Sequence, residues 1–427
     1  LTQPKAILTR RVLAWAFYSW ANSAFALSIL AVLVPLFMGA FWSAAEPGSV
    51  VTARLAWVNA IASAFICILS PFFGTIADAG GLRKRFLFIL TLVGATATAL
   101  LGIVGEGGWP LACLFFIFGS LGYYGSTIFY DSLIIDVTEP RNYSYVSSLG
   151  FSIGYLGGAV LLTLHVVMLT NPERWGFASA SEVIKFAFVS VGAWWAFFAL
   201  PILVFVHEKK SATAVQQGVV RAAYRELRST MRRISQYRNV VIFLIAYWLY
   251  IGGVFTVISM AVNYGQRLGF AQQDLVMALL VTNFAGFPAT FLYGMFGHRV
   301  GPRPGIYVAI GVYILMSALA VFMSEVWQFY AMAIVIGCVQ GGVQGLSRSL
   351  YASLIPAEQP GEFFGFYNTL TKFAHVTGLT LVGIAATLSE DPRWVLIALM
   401  PLFVGGGMLL TVVRVRSAGA ENDARPA

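Results

Sequence analysis

Apolar residues fall in twelve runs along the chain, each long enough to cross the roughly 30 Å core of a bilayer, which takes about 20 helical residues. They cover residues 12–41, 51–77, 86–105, 109–136, 144–170, 182–206, 239–266, 271–297, 305–324, 326–355, 361–388 and 393–414. The runs are continuous, as in VLAWAFYSWANSAFALSILAVLVPLF, and lack the alternating pattern of a transmembrane β-barrel. Helices satisfy their own backbone polar groups in hydrocarbon, so the pattern predicts an all-α membrane protein of twelve transmembrane helices. The first run is too long for a signal-peptide core and no convincing small-residue cleavage site follows it, so it is expected to remain a span.

The long polar stretch from His207 to Arg238 divides the spans six and six. The expected organisation is an N-terminal six-helix bundle over 1–206, a cytoplasmic amphipathic linker over 207–238, a second bundle over 239–414 and a cytoplasmic tail over 415–427. Within the linker, Val220, Tyr224, Leu227, Met231 and Ile234 recur at three- and four-residue steps, with Arg221, Arg225, Arg228 and Arg232 on other faces. That is the pattern of a helix lying on an anionic leaflet, a tether between bundles with a regulatory docking site as the alternative. The tail, RSAGAENDARPA, has the composition of a disordered segment.

The two bundles echo each other. GTIADAGGLRKR at 74–85 returns as GMFGHRVGPRPG from residue 294, and Gly74, Asp78, Gly81 and Arg83 match Gly294, His298, Gly301 and Arg303 at a constant offset of 220. DSLIIDVTEPRNYSYVSSLG likewise parallels RSLYASLIPAEQPGEFFGFYN, with Ser132 and Leu133 aligned on Ser349 and Leu350. Each half repeats the same order of parts, the sign of a duplicated membrane protein.

Composition agrees: 59% of residues are hydrophobic and 11% charged, against about 25% charged in soluble domains. Charge then fixes the expected orientation. With the N-terminus in the cytoplasm, 20 of the 27 Lys and Arg residues fall in cytoplasmic segments, while the other side holds Arg54, Arg174, Arg267 and Arg393, with Lys185 near a boundary. Both termini are therefore expected inside. The net charge of +9 is spread over short loops, which makes it a topology and lipid signature rather than a nucleic-acid footprint. Cys67, Cys113 and Cys338 lie in spans without metal-like spacing and read as packing residues. No GxxxxGK[ST] or HExxH sequence is present, so neither ATP hydrolysis nor enzymatic activity is expected, and no cofactor.

Ionisable groups inside spans cost at least about 2.5 kcal/mol at the bilayer centre unless they face a cavity or a partner, so the few present are candidates. Lys372 and His375 fall near mid-membrane on one face of the eleventh span, as seats for an anionic group or a proton, with a structural pairing as the alternative. Asp131 and Arg348 stand at nearly equivalent points of the fourth and tenth spans, where a salt bridge could close the cytoplasmic side; direct substrate contact by Arg348 is the rival role. Asp78 can meet a helix N-terminus or a cation across the seam between bundles, and Arg83, which with Lys84 and Arg85 holds its loop at the surface, is expected to take part in gating with it. Asp136 reads as a helix-end surface residue and His165 as structural. Asn283 and Asn368 add amides, and Tyr18, Tyr155, Tyr247 and Tyr250 are as compatible with packing as with a cavity. Glycines in GYLGG at 154–158 and GCVQGGVQG at 337–345 would let helices approach closely and slide.

GTIADAGGLRKR resembles the signature loop of the major facilitator superfamily. FYSWANSAF at 17–25, SLGFSIGYLGG at 148–158, QGLSRSLYASLIP at 344–356 and EFFGFYN at 362–368 are similar to the vacuolar amino acid effluxer family related to autophagy proteins, which has bacterial members. The resemblance implies two pseudo-symmetric six-helix bundles around a cavity lined by the first, fourth, seventh and tenth helices, which makes Asn22, Gln340 and Gln344 cavity candidates. Ser19 stands where that family commonly carries an acidic residue, so coupling through that carboxylate does not carry over. The expected function is secondary active transport of a small polar or zwitterionic metabolite such as an amino acid by alternating access, with proton or ion coupling, in a bacterial inner membrane. The chain is expected to act as a monomer among lipids. Export of an amphipathic or lipid-like compound is one alternative, and a non-transporting receptor or scaffold another, which would not need paired gating charges.

Overall fold

The computed structural model describes residues 7–208, 236–356, 359–388 and 393–414. Most of the expected amphipathic linker and the whole tail lie outside the described residues, as do some side chains of the second span, including those of residues 74–80. The described residues form twelve helical segments that match the expected spans to within a few residues. They are α1 (Arg10–Trp42), α2 (Gly48–Gly80), α3 (Arg83–Ile103), α4 (Trp109–Val137), α5 (Pro140–Thr170) and α6 (Ala180–Phe205). The second set comprises α7 (Arg238–Arg267), α8 (Gln272–Val300), α9 (Pro302–Phe322), α10 (Val326–Leu354), α11 (Pro360–Leu388) and α12 (Met400–Val412), the last preceded by a short turn of helix, Arg393–Ile397. Among the described residues, nine of these are long and apolar enough to cross a membrane.

The repeated loops explain how consecutive helices reverse direction. Gly81 before α3 and Gly301 before α9 have φ of 59° and 96°, a region that only glycine enters cheaply. Just beyond, the Lys84 ammonium donates to the carbonyls of Leu203 (2.7 Å) and Val206 (2.5 Å), at the end of α6. Arg303 donates to the carbonyls of Val413 (3.2 Å) and Thr411, at the end of α12. Each loop thus ties down the last helix of its own half, a cation on a helix C-terminus. By sequence Arg303 aligns with Arg83, yet it does the work of Lys84. These loops, with Arg141 and Arg299, mark one end of the molecule, here called the basic face.

α1 is wound as a π-helix over Phe25–Leu33 and Met38–Trp42, with Pro35 between. Proline has no N–H and crowds the carbonyl four residues back, so the chain widens around it, and the Val34 N–H bonds Ile29 instead.

α5 packs along α8 and α10, and α2 and α4 pack against α11. The sequence repeats make α2 equivalent to α8 and α5 equivalent to α11. The α2–α11 contact is therefore the α5–α8 contact read from the other half, as a pseudo-twofold axis requires. Small residues let the seam close at the basic face: a Cβ on Gly345 would stand 2.7 Å from Ser148 Oγ and 3.0 Å from Ser148 Cα.

Candidate functional site

Asp131 in α4 and Arg348 in α10 each lie six residues before the end of their helix, or about 9 Å in from the basic face at 1.5 Å per residue. They open the two parallel segments of the repeats, so they are repeat-equivalent residues that touch, which places them at the pseudo-twofold axis. Arg348 Nη1 is 2.7 Å from Asp131 Oδ1, and both side chains are buried. Arg348 Nε donates to Ser147 Oγ at 2.8 Å and Nη2 to the Ser147 carbonyl at 2.7 Å. Asn368 Nδ2, from α11, donates to the other Asp131 oxygen at 3.2 Å. The guanidinium carbon also faces the rings of Phe151, Trp15 and Tyr130 at 4.3, 4.9 and 5.3 Å from their centres. A buried ion pair survives only when its remaining polar valences are met, and here α5, α11 and an aromatic wall from α1 and α4 meet them.

A ladder of small hydroxyls extends the closure along the seam. Ser144 shares a hydrogen bond with Ser349 (2.9 Å), Ser147 donates to the Gly345 carbonyl (2.7 Å) and Ser152 to the Phe287 carbonyl (2.6 Å). At the basic surface His298 Nδ1 lies 3.0 Å from the Arg141 carbonyl. His298, the second-half counterpart of Asp78, thus makes a contact between halves of the kind expected of Asp78, whose own side chain lies outside the described residues.

A second ion pair corrects the sequence reading of Asp136. Arg83 Nη2 stands 2.7 Å from Asp136 Oδ2 with both side chains buried, and Arg83 Nη1 donates to the Ser132 carbonyl at 3.3 Å. Asp136 is not a surface residue and Arg83 is not a loop-surface cation: α3 begins where α4 ends, and the two charges neutralise each other inside the first half. The signal was present in the sequence, as an acid at the end of an apolar helix and a basic cluster at the start of its neighbour.

The deeper candidates separate. Lys372 points from α11 to α4, its Nζ 2.9 Å from the centre of the Tyr124 ring, and it makes no ion pair with a carboxylate among the described residues. His375 turns instead to α7, with Nε2 2.9 Å from Ser259 Oγ, so the two do not present one shared face as expected. Asn368 serves the Asp131–Arg348 pair. Gln344 Nε2 donates to the Tyr155 hydroxyl at 3.4 Å, which Gln340 also approaches. Asn22 is buried in α1. Around α7, α10 and α11 the rings of Tyr247, Tyr367 and Tyr351 stack in series at 4.4 and 4.8 Å, and Tyr250 bonds Ser347 at 2.7 Å. His165 is buried at the α5–α6 contact, 2.8 Å from Ser190 Oγ. Sequence reasoning overlooked Ser147, Phe151, Trp15 and Tyr124. Only the serines, at 144, 147, 148 and 152, carried a periodic signal.

Comparison with known proteins gives this arrangement a context. The model of a protein family described as vacuole effluxer Atg22 like matches residues 49–142 and 135–423. The MFS-type transporter YxiO of Bacillus subtilis is 34% identical over 410 residues, 95% of either chain. Among solved structures, the human organic anion transporter MFSD10 (TETRAN) superposes with a TM-score of 0.71 at 15% identity, over 96% of this chain and 100% of its own. The proton:xylose symporter XylE superposes with a TM-score of 0.71 at 14% identity, over 95% of each chain. These likenesses show the fold: an all-α membrane protein of the major facilitator type.

Proposed function

Because the chain belongs to the Atg22-like vacuole effluxer family within the major facilitator superfamily, and is thus a multi-pass membrane transport protein, we propose that it is a secondary active transporter working by alternating access. The observation that supports this reading most is the buried Asp131–Arg348 pair. A charge pair at the axis between two repeats suits a bistable element: it is costly to break and its partners sit on helices from opposite halves. In this reading the basic face is cytoplasmic, both termini lie there, and the ion pair, the serine ladder and the His298–Arg141 contact form the cytoplasmic gate. Rocking of the halves breaks them together.

The proposed cargo is a small polar or zwitterionic metabolite, an amino acid being the leading case, bound above the gate. Lys372 supplies a cation at mid-membrane, His375 a second titratable group, and Gln340, Gln344 and Asn22 amide donors and acceptors. A second reading, export of an amphipathic compound, is favoured by the stacked rings of Tyr247, Tyr351 and Tyr367. Purified protein in liposomes loaded with labelled amino acids, sugars or amphipathic dyes distinguishes the two by which solute it exchanges. Lys372→Ala should impair exchange of a polar cargo while the protein stays folded; wild-type exchange by that variant would remove Lys372 from the site. An imposed pH gradient tests coupling, and exchange indifferent to it would exclude proton drive.

A further inference from the structure

Lys372 and Tyr124 lie at matching depth. Lys372 is twelve residues into α11 and Tyr124 thirteen residues before the end of α4, so each is about 18 to 20 Å from the basic face. The two helices run antiparallel and share a second contact nearer that face, the Asn368–Asp131 hydrogen bond. Asn368 and Lys372 are four residues apart and occupy one stripe of α11, as Tyr124 and Asp131, seven apart, do on α4. The Lys372 ammonium, which makes no ion pair with a carboxylate among the described residues, rests on the face of the Tyr124 ring, 2.9 Å from its centre. Tyr123 packs edge-on against that ring at 5.0 Å and keeps it in place.

A cation held this way is stabilised without being neutralised. The ring quadrupole offsets part of the desolvation cost of the ammonium, but the site still carries a full positive charge that a carboxylate would cancel. We infer that Lys372 and Tyr124 form an exchangeable seat for a carboxylate on the transported solute: the ring holds the ammonium while the site is empty, and the incoming carboxylate draws it away. This rests on the transport reading above and adds to it the anionic group and a specificity-determining residue, Tyr124, that competes with the cargo rather than contacting it. A ligand gains only the difference between its own contact and the one it replaces. The empty-state cation–π contact therefore weakens cargo binding.

That competition has a sign that a direct contact would not have. In full-length protein reconstituted in vesicles, exchange is measured for leucine, 4-methylpentanoate, leucinamide and an uncharged sugar. Tyr124→Leu should lower KM for the two carboxylates by between about twofold and thirtyfold, the factor set by a cation–π contact of ordinary strength. KM for leucinamide should stay unchanged. Tyr124→Phe, which keeps the ring face, should restore the wild-type KM, and Lys372→Met should raise KM for the carboxylates alone. Thermal stabilisation of detergent-purified protein by the same solutes reads the seat without transport, with a larger shift by carboxylates in Tyr124→Leu than in wild type. An unchanged or raised KM in Tyr124→Leu overturns the inference. So does the absence of any carboxylate response in both proteins. If the sugar or the amide is exchanged while carboxylates are not, the seat fails and the transporter reading stands.

Discussion

Consider Arg348→Met. The substitution keeps most of the side-chain volume but removes the ion pair with Asp131 at 2.7 Å, the two bonds to Ser147 at 2.8 and 2.7 Å, and the contacts with Phe151, Trp15 and Tyr130. Among the described residues, Asp131, buried, keeps only Asn368 at 3.2 Å as a polar partner. Breaking a buried pair by deleting one partner costs about 3 to 5 kcal/mol, because it strands the other charge. The pair bridges α4 and α10, so the cost falls on the state in which the basic face is closed. A bias of that size shifts a two-state equilibrium by roughly two to four orders of magnitude. The assay is thiol labelling of Ser349→Cys in a background with the native cysteines replaced. Ser349 is 3% exposed and bonded to Ser144 across the seam, so labelling from the basic face should be slow in that background and fast once Arg348→Met is added. Asp131→Asn should act in the same direction. The double exchange Asp131→Arg with Arg348→Asp should restore part of the protection, since the ion pair returns while the Ser147 bonds do not. Slow labelling in both single variants, with protein that remains folded, would refute the gate.

Asp136→Asn should act differently, because its pair with Arg83 lies within one half: detergent-purified protein should melt at a lower temperature, by the 3 to 5 kcal/mol class of effect, with Ser349→Cys labelling unchanged. Gly345→Val should force the seam apart at the basic face, since even a Cβ would meet Ser148 Oγ at 2.7 Å; the Ser349→Cys label should then react faster. Glu208, beyond the end of α6, accepts from the Lys84 N–H at 3.2 Å, and burial pushes its carboxyl above the ordinary range while that bond works against it. The protonated form is thus favoured by folding, so its contribution is present below the unfolded-state pKa and is lost as pH rises through the folded one. Glu208→Gln should flatten that part of the melting temperature against pH, and an identical pH profile in the variant would show that Glu208 is not the group responsible.

The spans were legible because hydrocarbon thickness imposes a length and a composition that few sequences meet by chance, and the repeat made α2 equivalent to α8 and α5 to α11 before any coordinates. Asp131 and Arg348 were legible for the same reason, as buried charges at like positions. The burial of Asp136 was not, because it depends on where α3 starts relative to the end of α4, a tertiary fact. Nor was the divergence of Lys372 and His375: three residues turn a helix by about 300°, and the remaining 60° sends one side chain to α4 and the other to α7. Tyr124 carried no signal at all, being one aromatic among many in an apolar run.

The meeting of Asp131 and Arg348 at the axis also bears on how the two halves recognise each other. A residue there faces its own counterpart, so a pair of first halves would set Asp131 against Asp131, and a pair of second halves Arg348 against Arg348, each a like-charge contact in a dry seam. Only the mixed pairing is neutral. The ion pair would therefore act as a mating rule, disfavouring self-assembly of either bundle by repulsion. Coexpressed as separate fragments, the two halves should assemble with each other and not with themselves.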